Sequence, residues 1–245
     1  MSRPQLPTID VMERGATRGD VEQAMDRRLF MQLQVFTAPE GRNAGKFADA
    51  LADSLRKAEV GGVVYADAHD PRGIGMLNWS EKPGDFVTRV RPLFADEPLS
   101  ALVLRPELSM LGRTYALGHE QNLEHWILQR PIDNATQEGL DWAVWYPLRR
   151  RGEFETLPKE ERMSILHEHS IIGRAYGAQS LANDVRLASH GIDRNDNDFT
   201  IGLVGKDLHP LSHVVASMRK TVQTSQWIEK MGPFFVGHVL HRVKF

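Results

Sequence analysis

Residues 140–148, LDWAVWYPL, are apolar almost throughout, and Pro158–Tyr176 follow them with apolar residues at helical spacing. The first pattern predicts a buried strand and the second a long helix. Four further elements are predicted as strand, strand, helix and strand, at Asp184–Ser189, Phe199–Val204, His209–Trp227 and Pro233–Val243. The C-terminal half therefore has the order β-α-β-β-α-β, which is that of the ferredoxin-like unit.

The N-terminal half repeats this order, beginning with the apolar run at Arg28–Thr37. The elements predicted after this strand are a helix at Gly45–Glu59, strands at Gly61–Ala68 and Gly73–Trp79, a helix at Pro83–Phe94, and one or two strands within Leu102–Leu117. Residues 121–128 are predicted to be a short helix or linker, and residues 131–139 a loop. We expect an α+β fold in which halves 27–135 and 136–245 share a core, preceded by an extended arm or covering segment at 1–26.

Composition excludes several classes of protein. The chain has 245 residues, 41% hydrophobic and 25% charged, which is ordinary globular usage. Its net charge of −2 gives no reason to expect nucleic acid or an anionic membrane as a partner. The absence of cysteine excludes disulfides and thiolate chemistry. The N-terminus has no apolar signal region, and no run reaches the ~18 residues of a membrane helix, so we expect a cytoplasmic protein.

Two histidines occur in the segment SILHEHSIIGRAYG, residues 164–177. His169 shares a predicted helical stripe with Ile165, Ile172 and Tyr176, whereas His167 lies about 200° away around the helix. The two cannot chelate one ion from a regular helix, and H-E-H is not the H-E-x-x-H zinc motif. From the residues alone, a hydrogen-bonded core histidine is the simpler interpretation of His169, and a surface position that of His167.

Three segments resemble the chlorite dismutase and coproheme decarboxylase family of haem proteins. They are WYPLRRRGEFETLPKEERMSILHEHSIIGRAYG, GIDRNDNDF and GPFFVG. The resemblance is good from about Leu140 to Leu240 and much weaker before that. It implies two ferredoxin-like halves forming a dimeric α+β barrel, in a homopentamer. It also implies that His169 is the axial ligand of haem iron and that His167 is not. The family's carboxylate partner for this histidine is not identified in the sequence.

The resemblance implies catalytic roles for Arg186 and Tyr146. Arg186 matches the distal position, which is arginine in chlorite dismutases and glutamine in many coproheme decarboxylases. The alternative is a solvated strand arginine paired with Asp184 or Asp193. Tyr146 matches the decarboxylases' tyrosine, whose radical takes hydrogen from a propionate so that loss of CO2 leaves a vinyl group. The alternative is a half-buried aromatic residue on a strand.

Four more residues match positions at which the family holds porphyrin propionates. Arg150 occupies the position of a decarboxylase lysine, although its basic run is equally typical of a solvated strand end. The others match only approximately, and they are Arg130, Tyr115 and Ser225.

Three functions stay open from the sequence. The first is a peroxide-dependent coproheme decarboxylase that makes haem b. It is supported by His169, Tyr146 and the GPFFVG segment. The second is a chlorite dismutase, which converts chlorite to chloride and dioxygen. It is supported by Arg186. The third is a non-catalytic haem-binding or carrier protein. The cofactor is haem in each case, as coproheme or haem b, and the small-molecule partner of either enzyme is hydrogen peroxide or chlorite.

Overall fold

The computed structural model describes residues 6–245. Within that range the strands are β1 Glu13–Arg18, β2 Val21–Met25, β3 Phe30–Thr37, β4 Gly62–Asp67, β5 Gly73–Ser80, β6 Val103–Leu104, β7 Met110–Arg113, β8 Trp142–Arg150, β9 Asn183–Ala188, β10 Phe199–Gly205, β11 Ile228–Met231 and β12 Phe235–Val243. The α-helices are α1 Ala44–Lys57, α2 Arg130–Thr136, α3 Lys159–Ala178 and α4 Leu208–Met218. No helix within residues 6–245 is long and apolar enough to cross a membrane.

Eight antiparallel strands close into a barrel. The N-terminal half contributes the order β7-β3-β5-β4 and the C-terminal half the order β12-β8-β10-β9. The halves join where β4 pairs with β12, and again where β7 meets β9 through the single pair Arg113 and Ala188. Each half has the strand order of a ferredoxin-like unit, so the predicted α+β class with two such halves is confirmed.

Strand alternation sorts the apolar side chains into separate cores. Residues such as Leu33 of β3, Tyr65 of β4 and Trp145 of β8 point into the barrel and form its main core. The outer face of the N-terminal half packs under α1, which buries Phe47, Ala48, Leu51, Ala52 and Leu55. The outer face of the C-terminal half has its own cluster, which includes Val144, Tyr146 and Leu148 of β8.

The predicted loop at residues 131–139 is wrong for its first part, because α2 spans Arg130–Thr136. Pro131 suits the first turn of a helix, where its missing N–H costs no hydrogen bond. The predicted helix Pro83–Phe94 is instead a π-helical turn at Phe86–Val90 followed by a 3₁₀ turn at Arg91–Phe94, which contains Pro92.

The predicted helix His209–Trp227 is interrupted. It ends as α4 at Met218 and resumes as a π-helical turn at Gln223–Trp227. Thr221 stabilises the interruption, because its hydroxyl donates to the Met218 carbonyl oxygen (2.8 Å) and accepts from the Thr224 amide (3.3 Å). The predicted strand Pro233–Val243 begins at Phe235, and the short strand β11 precedes it.

The segment interpreted as an arm, residues 1–26, contains the hairpin of β1 and β2, while residues 1–5 lie outside the described part of the chain. The hairpin holds the segment that follows β7. Its Glu13 carboxylate accepts from the Ala116 amide (2.9 Å) and forms ion pairs with Arg28 (3.3 Å) and Arg113 (3.2 Å). Ala16 donates its amide to the Glu120 carbonyl oxygen (3.0 Å).

Candidate functional site

Side chains of three adjacent strands line up across the outer face of the C-terminal half. Ile201 of β10 lies directly opposite Tyr146 of β8 on one side and Arg186 of β9 on the other. Residues directly opposite in antiparallel strands share a face and lie about 5 Å apart, so Tyr146 and Arg186 point the same way from backbones about 10 Å apart. The strand register therefore brings together the two residues predicted to be catalytic.

Helix α3 lies over this face without sealing it. Among its 20 residues only Ile165 is fully buried, whereas the 14-residue α1 buries five in the equivalent place of the other half. His169, Ile172, Gly173 and Tyr176 of the inner stripe are half-buried. The outer sheet face of this half is instead packed mainly under α4, which buries Leu211 and Val214 in the cluster with Val144.

His169 faces the sheet and His167 faces solvent, as the helical period predicted. Burial, followed by the positive charges of Arg150 and Arg186, lowers the pKa of His169 to about 4 against the opposing effect of Glu168 and Asp184. The imidazole is therefore neutral at pH 7, which is the form that binds a metal. Its Nδ1 lies 3.5 Å from the Thr221 hydroxyl.

Asp184 joins two arginines at one edge of this face. Its carboxylate lies 2.5 Å from Arg130 Nη2 and 2.9 Å from Arg186 Nε. Burial alone would raise the pKa of Asp184, but the charges of Arg186 and Arg130 outweigh burial and lower it. Arg186 thus forms the ion pair with Asp184 that was anticipated as the alternative to a distal role. Its positive charge nevertheless contributes to the lowered pKa of His169. The three groups together keep one net positive charge.

Arg150 is not a solvated strand end, because its side chain is only 13% exposed. Its guanidinium lies over the rings of Phe154 (4.4 Å) and Phe199 (4.9 Å), where cation–π attraction stabilises it. Glu155 pairs with Arg150 (3.3 Å) and with Arg162 (2.9 Å), which leaves a second net positive charge. The Asp198 carboxylate also lies here, because it accepts from the Arg150 amide (2.7 Å), so the guanidinium groups themselves and not an overall excess of charge suit carboxylate ligands.

Tyr146 is buried and stacks on Phe234, with ring centroids 4.7 Å apart. Burial raises the pKa of its phenol, Asp184 adds to the rise and Arg219 opposes it. The phenol consequently keeps its hydrogen at any physiological pH. Such a phenol can act as a hydrogen-atom donor when an oxidant takes its electron and a base takes its proton.

Besides Arg130, the two other weaker candidates are Tyr115 and Ser225, and they lie in different settings. Tyr115 follows β7 and packs on Phe199 (5.9 Å between centroids); burial raises its pKa, while the charges of Arg186 and Arg150 oppose the rise. This residue of the N-terminal half thus reaches the same site. Ser225 donates its hydroxyl to the Thr221 carbonyl oxygen (2.8 Å), so its hydrogen is not free for a propionate in this arrangement.

Sequence reasoning missed two parts of the site. Thr221 lies behind His169 only because α4 is interrupted, and no motif marks it. Glu155 pairs with Arg150 and Arg162, a role that the charge pattern of GEFET does not reveal. Phe234 could have been found, because it lies in the GPFFVG segment that carried the resemblance.

The residues fit an iron porphyrin. A neutral histidine faces the site, and the guanidinium groups of Arg150 and Arg186 could bind propionates. Two buried polar atoms next to Phe154, Arg150 Nε and Trp227 Nε1, have no hydrogen-bond partner within the described residues. Unpaired buried donors are costly, so they mark a place where a ligand would supply acceptors.

A family model described as chlorite dismutase matches residues 109–240, more than half of the chain. The chain therefore belongs to the chlorite dismutase family. Among solved structures it is similar to a haem-binding protein from Thermus thermophilus, with a TM-score of 0.71 and 18% identity over 88% of this chain and 92% of that one. It is also similar to chlorite dismutase from Candidatus Nitrospira defluvii in complex with imidazole, with a TM-score of 0.67 and 12% identity over 89% and 93%. At these identities the two structures show a shared fold.

Proposed function

We propose that the protein is a peroxide-dependent coproheme decarboxylase, which converts two propionates of iron coproporphyrin to vinyl groups. The observation that carries this proposal is Tyr146, a buried and protonated phenol on the same sheet face as Arg186, whose positive charge acts on His169. A chlorite dismutase needs no such tyrosine. The family membership supports haem as the cofactor but not this reaction in particular.

In this proposal each residue has a defined task. His169 would bind the iron through Nε2, and the groups around Arg150 and Arg186 would hold propionates, with Tyr115, Arg130 and Ser225 around them. The bound iron would supply oxidising power after reaction with peroxide. Tyr146 would give up its phenolic hydrogen atom and then take one from the propionate β-carbon; loss of a second electron and of CO2 leaves the vinyl group. Each propionate thus consumes one H2O2 and one proton and yields CO2 and two waters.

The test is mass spectrometry of the porphyrin after peroxide is added to the protein loaded with iron coproporphyrin. We expect two successive losses of CO2 plus two hydrogens. Tyr146→Phe removes only a hydroxyl, so porphyrin binding should persist while vinyl formation stops. Tyr65→Phe is the matched control, because Tyr65 is equally buried but points into the barrel. Undiminished conversion by Tyr146→Phe would refute the role of this tyrosine.

Chlorite dismutase activity is the second candidate, and Arg186 favours it. A guanidinium near the iron can hold an oxyanion, and a lost charge-assisted bond of this kind costs about 2–4 kcal/mol in a transition state. Oxygen release from chlorite, followed with an oxygen electrode, would select this function. If neither peroxide nor chlorite reacts with the loaded protein, the non-catalytic haem-binding function replaces both.

We also propose a homo-oligomer, with the pentamer that the family resemblance implies. Three apolar side chains of α3 are substantially exposed, and they are Met163, Leu166 and Ile171. Exposed apolar side chains grouped on one helix are typical of subunit contacts. Light scattering coupled to size-exclusion chromatography would give the subunit number, and a monomeric mass would exclude the proposal.

A further inference from the structure

A buried threonine lies directly behind the candidate ligand histidine. Thr221 is 1% exposed and belongs to the interruption between α4 and the turn Gln223–Trp227. Its Oγ1 is 3.5 Å from His169 Nδ1, a long hydrogen bond. The interruption is tied to α3 a second time, since the Glu168 carboxylate accepts from the Val222 amide (2.9 Å). The position of Thr221 relative to His169 is therefore fixed from both sides.

The direction of the Thr221 contact follows from where its single hydroxyl hydrogen goes. The hydroxyl donates to the Met218 carbonyl oxygen at 2.8 Å, which is closer than the other available acceptor, Thr224 Oγ1 at 3.4 Å. A hydroxyl whose hydrogen is used in this way can only accept from a further neighbour. His169 must then donate through Nδ1–H, because the ring has a second nitrogen that can stay unprotonated. This hydrogen bond selects the tautomer in which Nε2 carries a free lone pair.

The chemical nature of the acceptor also matters. A carboxylate bonded to the outer nitrogen of a ligand histidine makes the imidazole more basic, which favours oxidised iron. Here the carboxylate of the neighbouring Glu168 accepts from the Val222 amide, and His169 has no hydrogen bond to a carboxylate within the described residues. The acceptor for His169 is a neutral hydroxyl that already shares its electron density with the Thr224 amide. Its effect on the basicity of the imidazole is correspondingly small.

We propose that Thr221 is the positioning residue for His169: it holds the imidazole in the Nδ1–H tautomer with Nε2 directed to the site, and as a neutral acceptor it keeps the imidazole a weakly donating ligand. The first part concerns the porphyrin-free protein. The second part rests on the proposed function, since it requires that His169 bind iron.

The first experiment uses porphyrin-free protein labelled with ¹⁵N-histidine, whose ring nitrogen chemical shifts report the tautomer by NMR. We expect the Nδ1–H tautomer for His169 in the wild type and in Thr221→Ser. In Thr221→Val, which keeps the shape but removes the acceptor, we expect the population of the Nε2–H tautomer to rise. Thr224→Val is the control, because it removes only the Thr224 hydroxyl, 3.4 Å from Thr221 Oγ1, and leaves the Thr221 hydroxyl and its bond to the Met218 carbonyl oxygen in place. An unchanged tautomer in Thr221→Val overturns the inference.

The second experiment uses the haem-loaded protein. Thr221→Asp supplies a carboxylate at the same position, so the iron–histidine stretch of the ferrous form should move to higher frequency and the reduction potential to a lower value. Thr221→Ser should restore both wild-type readings. An unchanged stretch and potential in Thr221→Asp would overturn the second part. A wild-type protein without an iron–histidine stretch would instead refute iron binding by His169, while the tautomer result still decides the hydrogen bond.

Discussion

Replacing His169 by asparagine should alter how the stability of the porphyrin-free protein depends on pH. Burial and the charges of Arg150 and Arg186 hold the pKa of His169 at about 4, below its ordinary value of 6.5. On acidification the unfolded chain takes up this proton near pH 6.5, but the folded protein does so only near pH 4. The unfolded state binds more protons in between, so this group destabilises the folded state as the pH falls through that window and has no effect above it.

The size of this effect follows from the two pKa values. Between pH 7 and pH 5 the site should cost the folded state about 2 kcal/mol, and the full difference corresponds to about 3 kcal/mol. Urea denaturation at both pH values would measure it for wild type, His169→Asn and His167→Asn. His167 is the matched control because it is exposed on the same helix. The wild type and His167→Asn should lose about 2 kcal/mol more than His169→Asn. Equal losses in all three proteins would show that His169 does not face this desolvated, positive environment.

Three further predictions concern single side chains. His169→Ala should abolish axial ligation and shift the Soret band of the haem-loaded protein, whereas His167→Ala should leave the band unchanged; the opposite pattern would reverse the assignment. Arg186→Gln should slow the reaction with peroxide about tenfold or less in stopped-flow measurements, because in a decarboxylase it only assists; complete loss would contradict this. Glu13→Gln should loosen the segment held at Ala116, detected as faster hydrogen exchange of its amides without change in β8; unaltered exchange would show that the hairpin does not hold it.

The strands were predictable because their side chains obey local rules. The runs at Phe30–Thr37 and Trp142–Arg150 are apolar and rich in β-formers, which is enough to identify buried strands. Helix α2 was not predictable, because Asp133 and Asn134 favour turns in isolation. Asn134 donates to the carbonyl oxygen of Asp184 (2.8 Å), a contact between residues 50 positions apart that no local pattern contains.

The candidate site likewise has one part that was predictable from the sequence and one part that was not. Helical period alone separated His169 from His167, because burial on a helix repeats every 3.6 residues. The ion pair of Arg186 with Asp184 was one of two pairings anticipated, the other being with Asp193. Residues two apart on a strand share a face, which brings Asp184 and Arg186 together. The partners of Arg150 and the position of Thr221 depend on how separate segments meet in space. Those contacts decide the charge and tautomer of the site, and only the structure supplies them.

The first helices of the two halves pack differently on their sheets, and under the proposed function this difference places the candidate site in the second half. Fully burying a leucine or phenylalanine side chain contributes about 1.5–3 kcal/mol, so Phe47, Leu51 and Leu55 hold α1 firmly on its sheet. Helix α3 buries one such residue and directs His169 inward instead. It therefore gains little from apolar packing, and a large planar ligand between helix and sheet would supply the missing contacts. Under the proposed function, bound porphyrin would contact α3 and stabilise its packing on the sheet. The residues that pack weakly in the porphyrin-free protein are then those that contact the ligand.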